Sequence, residues 1–193
     1  MKITIWGARG SIPSPLTPRE VEEKICYAIL GLPNIDTNDL EAIRAYVGTL
    51  PPLLRGTAGG NTSCVEIRAG GETLIVDAGT GLRELGLALM SGPCGRGRGR
   101  LHLLLSHLHW DHIQGFPFFV PAFIPGNHIT IYGVHDIEAA FQDQQRPPNF
   151  PVSLSHMEAE IDFVPLKVGQ PFSIGQIRVN TIRNTHPGDS YGY

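Results

Sequence analysis

Apolar and polar residues follow two different periods along the chain, one typical of strands and one typical of helices. Residues 2–6 have a strand-like pattern, and a strand-type pattern resumes at Ser63, so strands are predicted at 2–6, 63–69 and 72–77. The dipeptide Gly70-Gly71 separates the last two, as in a two-residue hairpin turn. The leucine-rich run at 101–105 predicts a strand that is buried on both faces.

A helical hairpin is predicted between the first strand and the second. The sequence of residues 17–20 (Thr-Pro-Arg-Glu) is typical of a helix start, because the threonine and the glutamate can cap each other's backbone. Gly31 is expected to end that helix, and a second helix is expected at about 38–49. The two helices would form an insertion at about 18–50.

The rest of the chain alternates between helical and strand patterns. Residues 80–90 and 136–144 carry their apolar residues on one helical face. The remaining predicted strands are 129–132, 162–166 and 176–183. Residues 91–100 are rich in Gly and Arg and are expected to form a flexible loop. Strands that alternate with helices predict an α/β sandwich in a single domain, residues 1–193.

Composition narrows the class of protein without identifying it. The 193 residues are 41% hydrophobic and 17% charged, with a formal net charge of −3, which suits a folded domain rather than a disordered chain. No apolar run approaches the roughly 18 residues of a membrane span, so no membrane partner is expected. The three cysteines form no C-x-x-C pair, which disfavours a disulfide framework. Since no secretory signal precedes the first strand, a cytoplasmic protein is expected.

The strongest chemical signal follows the leucine-rich strand. Residues 106–112 read Ser-His-Leu-His-Trp-Asp-His, which places four good metal ligands within six residues. In an extended segment alternate side chains point the same way, so His107, His109 and Asp111 can converge on one side. His112 begins the next turn and can approach from another angle. Four ligands from so short a segment surround one ion poorly, whereas two ions about 3.5–4 Å apart can share them.

The ligand types indicate which metal this segment would bind. Imidazole and carboxylate groups suit Zn²⁺, with Mn²⁺ and Fe²⁺ as alternatives. Two other interpretations stay open, in which the histidines are surface residues on a mobile loop or hold a structural ion. Structural zinc sites usually use cysteine, and no cysteine lies near this motif. Two divalent metal ions in a catalytic centre are therefore the favoured interpretation.

The motif and its surroundings resemble the metallo-β-lactamase superfamily over nearly the whole chain. Residues 74–81 (Leu-Ile-Val-Asp-Ala-Gly-Thr-Gly) are similar to its first motif, residues 106–112 to its second, and residues 184–187 (Asn-Thr-His-Pro) to its third. The resemblance implies an α/β fold of the αββα type, in which two mixed sheets pack face to face with helices outside. It also implies that the C-terminal part of that fold is missing, because the family's bridging Asp and last His follow the third motif.

The resemblance assigns roles to individual residues. The residues that it implies as metal ligands are His107, His109 and His186 for the first ion, and Asp111 and His112 for the second. Asp77 would lie behind the ligands and orient one of them through a hydrogen bond. Asp111 would also act in catalysis, by holding the attacking nucleophile and accepting its proton.

Two glycine-rich segments, residues 7–13 and residues 59–63, resemble the phosphodiesterase branch, which includes the tRNA 3′-processing endonucleases. The polar residues of these segments that are expected to contact substrate are Arg9, Ser11, Asn61 and Ser63. The alternative is structural, since these residues would also suit a turn and the backbone before a strand. Redox di-iron relatives typically have a glutamate where His109 stands, which disfavours oxygen chemistry.

The resemblance therefore implies a dinuclear metal-dependent hydrolase that cleaves a phosphodiester with a metal-bridging hydroxide. Its substrate would be a small molecule or RNA, and a homodimer is expected. The alternative is a non-catalytic metal-binding or ligand-sensing module on the same fold, with an incomplete metal site. We expect the chain to be C-terminally truncated, so that by itself it would bind the second ion weakly and be inactive.

Several other segments are expected to have no direct role in the reaction. The three arginines at 96, 98 and 100 alternate with glycine and are expected to be solvated, with a phosphate clamp as the alternative. Four phenylalanines between residues 116 and 123 are expected in the core, with a base-stacking pocket as the alternative. Four further histidines have no ligand-like spacing and are interpreted as packing or ordinary residues, namely His102, His128, His135 and His156.

Overall fold

The computed structural model describes residues 1–57 and 59–193, which divide into two compact units. The larger unit comprises Met1–Pro13 and Asn61–Tyr193, and the smaller unit comprises Ser14–Gly60. None of the described helices combines the length and the apolar character needed to cross a membrane.

The smaller unit is helical. Its helices are α1 (Pro18–Leu30), α2 (Leu40–Thr49) and α3 (Pro52–Arg55). The predicted capping box of α1 is present, because the Thr17 hydroxyl accepts from the Glu20 backbone and the Glu20 carboxylate accepts from the Thr17 backbone. The Asp39 carboxylate caps α2. Among the described residues of these three helices none is buried, so burial contributes little to their stability.

The larger unit is built on a six-stranded mixed sheet. Its strands are β1 (Lys2–Gly7), β2 (Cys64–Ala69), β3 (Glu72–Val76), β4 (Arg100–Leu104), β5 (His128–Gly133) and β6 (Glu160–Pro165). The strands lie in sequence order, with β1 to β3 antiparallel and β3 to β6 parallel. The parallel half gathers the carboxyl ends of its strands at one end of the sheet, which is where α/β proteins place their sites.

Two short antiparallel strand pairs form separate two-stranded sheets. β7 (Phe172–Ile174) pairs with β8 (Ile177–Val179), and β9 (Ile182–Asn184) pairs with β10 (Ser190–Gly192). The first pair packs on one face of the main sheet and buries four apolar side chains with it, those of Leu74, Leu104, Ile174 and Val179. This face therefore carries a second layer of strands.

Helices cover the opposite face of the sheet. They are α4 (Gly81–Leu89), α5 (Trp110–Ile113) and α6 (Ile137–Gln144). The main apolar cluster lies on this side and contains Leu101 and Leu103 of β4, whereas Leu104 belongs to the cluster on the other face. Strand β4 is thus buried on both faces, as its sequence predicts, and an α/β fold is confirmed.

Two sequence-based expectations about elements were wrong. The expected flexible loop at 91–100 contains a 3₁₀ turn at Pro93–Arg96. Buried Asn127 holds the segment, because its Oδ1 accepts from the Gly99 N–H at 2.7 Å and its Nδ2 donates to the Cys94 carbonyl at 3.0 Å. The strand predicted at 176–183 is divided between β8 and β9. Between them the carbonyl of Thr181 accepts from the Gly169 backbone instead of from a neighbouring strand.

Candidate metal centre

Loops at the carboxyl ends of two neighbouring parallel strands carry most of the predicted site residues. Asp77 directly follows β3, and residues 106–112 follow β4. The β9–β10 hairpin carries His186 in its connecting loop. The hairpin is anchored beside β4, because the Tyr191 N–H donates to the carbonyl of Ser106 at 2.9 Å. Three segments that are distant in sequence therefore meet at one end of the sheet.

Three imidazoles converge where these segments meet. His107, His109 and His186, here called the first group, each offer a ring nitrogen, and the three nitrogens lie within 4.8 Å of one another. His186 Nε2 lies 3.2 Å from His109 Nδ1. His107 is only 5% exposed, whereas the other two histidines face solvent. The structure thus brings together the three histidines that the resemblance assigns to the first ion.

Asp111 and His112 form a pair beside the first group. The His112 ring packs against His107 with their centroids 4.0 Å apart. Asp111 Oδ2 lies 3.5 Å from His112 Nε2 and accepts a hydrogen bond from the Ser11 backbone N–H at 2.8 Å. Ser11 has a φ of 65°, which is uncommon for a residue other than glycine. The two residues assigned to the second ion are therefore adjacent to the first group.

The Asp77 carboxylate lies behind these side chains and is 4% exposed. Its Oδ2 lies 2.8 Å from His112 Nδ1, so the imidazole can donate there and turn Nε2 toward Asp111. The carboxylate is fixed in turn by the Ser63 hydroxyl, which donates to Oδ2 at 3.0 Å. The backbone and the hydroxyl of Ser106 donate to Oδ1 at 2.9 and 2.7 Å. A carboxylate that holds one nitrogen of a histidine is typical of metal centres.

The pKa values of the two inner histidines shift in opposite directions. Burial, followed by the charges of the neighbouring imidazoles, lowers the pKa of His107 to about 4. At neutral pH its ring is therefore uncharged, which is the form that binds a metal ion. Burial also acts to lower the pKa of His112, but the hydrogen bond and the charge of Asp77, with the charge of Asp111, raise it above its usual value.

Close backbone packing fixes α5 against the loop that follows β3. The Ala78 N–H donates to the carbonyl of His112 at 2.7 Å, and the Gly115 N–H donates to the carbonyl of Ala78 at 2.8 Å. A Cβ atom on Gly115 would lie 2.0 Å from the Gly79 carbonyl oxygen, and one on Gly79 would lie 2.3 Å from that of Asp111. The two loops can approach this closely only because both positions are glycine.

The four residues expected to contact substrate all contact other parts of the protein. Ser11 and Ser63 donate to the two carboxylates described above. The Asn61 side chain accepts from the Thr80 hydroxyl at 3.1 Å. Arg9 is exposed, and its backbone forms an isolated bridge with the strand-flanking segment opposite. These side-chain and backbone bonds support a structural role for Ser11, Asn61 and Ser63. A substrate contact by any of the four residues stays a prediction.

The donor set suits a divalent transition-metal ion. Imidazole nitrogens and carboxylate oxygens are the ligands that Zn²⁺, Mn²⁺ and Fe²⁺ accept, and three imidazoles this close together are well placed to share one cation. Asp189, the nearest acidic residue in sequence to His186, lies outside this set, because its carboxylate accepts two hydrogen bonds from the Arg183 guanidinium. The residues present therefore fit metal ions at the first group and at the neighbouring pair.

A second group of metal-type side chains lies on the sheet itself. His128 of β5 stands opposite Glu160 of β6, and Asp162 follows two residues later on the same face. His128 Nε2 lies 2.7 Å from Asp162, and Nδ1 lies 3.9 Å from Glu160. One ligand atom from each lies within 4.8 Å of the others, and both carboxylates are exposed. No local sequence pattern indicates this second group, because the spacing of the two acids carries meaning only once the strand register is known.

The four phenylalanines that follow the motif divide between core and surface. Phe116 and Phe119 are fully buried, and Phe116 stacks on Phe141 with centroids 4.4 Å apart. Phe123 is half-buried against the same core. Phe118 is 54% exposed. The core interpretation is therefore right for three of them and wrong for Phe118.

Solved structures of known proteins share this fold. A diphosphatase from the PhnP family is 15% identical with a TM-score of 0.59, over 99% of this chain and 60% of that chain. Human tRNase Z, short form, is 19% identical with a TM-score of 0.53, over 99% of this chain and 63% of that chain. The metallo-β-lactamase fold protein YhfI from Bacillus subtilis is 24% identical with a TM-score of 0.48, over 68% of this chain and 48% of that chain. This chain thus spans less than two thirds of the length of each. The likenesses to the diphosphatase and to tRNase Z, with TM-scores above 0.5, show the fold alone.

The family comparison extends the likeness from fold to sequence. No curated protein matches the chain. The sequence profile of the metallo-beta-lactamase superfamily matches residues 57–186, a range that covers more than half of the chain and contains every predicted metal ligand. Members of that superfamily are mostly metal-dependent hydrolases and bind divalent metal ions, usually two. The profile match and the geometry of the candidate metal centre agree, and this chain belongs to the metallo-β-lactamase superfamily.

Proposed function

We propose that this chain carries the metal centre of a phosphodiesterase that uses two divalent metal ions, with Zn²⁺ expected in both positions. The observation that carries the proposal is the convergence of the three first-group imidazoles beside Asp111 and His112, with Asp77 orienting His112 from behind. Two structures of the same fold are named as a diphosphatase and a tRNase, and both names favour a substrate that is cleaved at a phosphate group.

The ligands would divide between the two ions according to the two clusters that they form in the structure. The first group would hold one ion, and Asp111 with His112 would hold the other. When bound, the ions supply Lewis acidity that offsets negative charge on a phosphate group and lowers the pKa of water. The substrate would be a phosphodiester, either a small molecule or RNA.

The chain's own residues position the reacting groups. The Ser11 N–H fixes Asp111 through Oδ2, which leaves Oδ1 to hold a water molecule and accept its proton. The Asp77 carboxylate keeps Nε2 of His112 directed toward Asp111. A fixed orientation matters because a displacement of about 1 Å can cost 10²-fold in rate.

Metal content and turnover, measured on the same purified sample, test the proposal. In the full-length protein we expect two Zn²⁺ ions per molecule by mass spectrometry of the metal, together with hydrolysis of bis(p-nitrophenyl) phosphate. His109→Ala should abolish turnover and reduce the metal content. His156→Ala is the matched control, because His156 is an exposed histidine outside both groups and contacts Ser153.

Each outcome has a definite consequence. Metal binding without turnover by the full-length protein would contradict the phosphodiesterase and support a metal-binding module on the same fold. Loss of neither metal nor turnover in His109→Ala would show that the first group is not the metal centre.

A further inference from the structure

The outer edge of β6 offers backbone groups for pairing. Strand β6 is the last strand of the main sheet, and no strand in the described part of the chain pairs with its outer edge. The Glu160 N–H donates toward β5, to the Asn127 carbonyl at 2.9 Å. Because backbone groups alternate sides along a strand, Ile161 and Phe163 direct their N–H and C=O groups away from the sheet. A free edge of this kind can pair with another extended chain.

A groove between β6 and α6 runs along this edge. One cavity of about 460 Å³ lies at the carboxyl end of α6, and another of about 390 Å³ lies at its amino end. Phe163 contributes to the walls of both cavities. Apolar side chains line the first cavity at Leu154, Met157 and Ile161, and the second at Val164. An added strand could therefore place apolar side chains in both cavities.

The first cavity also has polar groups in its wall. Gln145 lines it and is fully buried, and neither its Oε1 nor its Nε2 has a hydrogen-bond partner among the described residues. Buried amide groups are normally paired, and a peptide backbone offers both a donor and an acceptor. The only cation among the described lining residues is Arg146, which lies 3.4 Å from the Asp143 carboxylate. Its charge is thereby offset.

Acidic residues surround the edge and the groove. Residues 134–167, which include α6 and β6, contain six acidic and two basic residues, a formal charge of −4, whereas the whole chain carries −3. The side chains of Glu160 and Asp162 stand on the edge strand itself and are 73% and 54% exposed. Asp136 and Glu138 line the second cavity. Opposite charges on neighbouring strands stabilise a pair and like charges destabilise it, so this edge favours a basic strand over a second copy of itself.

We infer that the outer edge of β6 binds an extended segment of a partner protein in which basic and apolar residues alternate. The segment would continue the sheet as an additional strand. Its basic side chains would lie beside Glu160 and Asp162, and its apolar side chains would enter the groove on the face of Ile161 and Phe163, because successive side chains point to opposite faces. Since β5 separates β6 from the strand that carries the metal-ligand loop, the inference does not depend on the proposed function.

Binding of short peptides, followed by the fluorescence anisotropy of a fluorescein label, tests the inference. The peptide Lys-Val-Lys-Ile-Lys-Val should bind saturably, because its charges and apolar side chains alternate as the edge requires. The same residues in the order Lys-Lys-Lys-Val-Ile-Val should bind more weakly. Methylation of the backbone nitrogens of the first peptide should abolish binding, because it removes the donors that a strand needs.

Variants of the protein locate the binding surface. Glu160→Gln combined with Asp162→Asn should weaken binding of the alternating peptide by about 2- to 30-fold, the loss expected for two cross-strand charge pairs. Glu22→Gln combined with Glu23→Gln, which removes the same charge from exposed positions of α1, should leave binding unchanged.

Three outcomes would overturn the inference. Equal binding of the two peptide orders would mean that charge attraction alone holds them. An unchanged affinity in the β6 variant would exclude this edge as the binding surface. A dimer of the chain that competes with the peptide, detected by gel filtration, would assign the edge to a second copy instead of a basic partner.

Discussion

The molecule contains two groups of side chains of the types that bind metal ions. The two groups differ in the contacts that fix their side chains. In the first group, the loop after β4 presents His107 and His109 and the β9–β10 loop presents His186, while Asp77 holds one nitrogen of the neighbouring His112. In the second group, the side chains stand on the strands themselves, and Asp162 binds the His128 ring directly. A set of ligand types is therefore not enough to make a metal centre. Beside the first group, Asp77 holds only one nitrogen of His112 and leaves the other directed toward Asp111, whereas both acids of the second group face the imidazole that would be the ligand.

The largest expected difference between the two groups concerns the histidines themselves. His109→Ala should lower the rate of bis(p-nitrophenyl) phosphate hydrolysis by more than about 100-fold, because losing a direct ligand costs more than losing an outer partner. His128→Ala should leave the rate and the metal content unchanged. Equal losses in the two variants would mean that the second group also serves the reaction.

Removing the outer carboxylate should have the next largest effect. Asp77→Asn keeps the shape of the side chain but loses the charge that fixes His112, and should reduce metal affinity by about 10- to 100-fold. Asp162→Asn makes the same chemical change in the second group and provides the matched control, with no change expected. Competition with a zinc-binding dye measures both affinities. An unchanged affinity in Asp77→Asn would remove the distinction drawn between the two groups.

Much of the first group could be predicted because residues close together in the sequence indicate it. Residues 106–112 supply four ligand-type side chains in one segment, and the leucines before them predict the buried strand that carries it. His186 could be predicted as a ligand only because a short motif resembles a family pattern. In the structure it lies next to His109. The capping box at Thr17 was equally local and is present.

The remaining features depend on contacts between distant segments. The Ser11 amide reaches Asp111 across 100 positions, and no local pattern indicates that hydrogen bond. The second group depends on the register of β5 against β6, which pairs His128 with Glu160. Phe118 differs from its buried neighbours Phe116 and Phe119 only because the chain turns outward there, which spacing alone does not predict.

Backbone packing behind the first group provides a further test, with a moderate effect. Gly115→Ala places a methyl group against the Gly79 carbonyl, and should lower the free energy of unfolding by about 1–3 kcal/mol. It should also weaken metal binding, because the displaced backbone carries α5. Gly92→Ala is the control, since the nearest atom to its added Cβ lies at an ordinary 3.4 Å. Urea unfolding of both variants measures the difference, and equal stabilities would contradict tight packing at Gly115.

The smallest expected effect concerns the arginines near the second group. Arg100 pairs with His128 in the β4–β5 register, so Arg96, Arg98 and Arg100 lie toward the amino end of β4, whereas the metal ligands follow its carboxyl end. The five residues of β4 span about 17 Å at the usual rise per residue. Replacing the three exposed arginines with Ala should therefore leave kcat/KM for bis(p-nitrophenyl) phosphate unchanged, since so small a substrate does not extend that far. A loss of activity on this substrate would mean that the end of the sheet that carries the second group takes part in the reaction, and the contrast between the two groups would no longer hold.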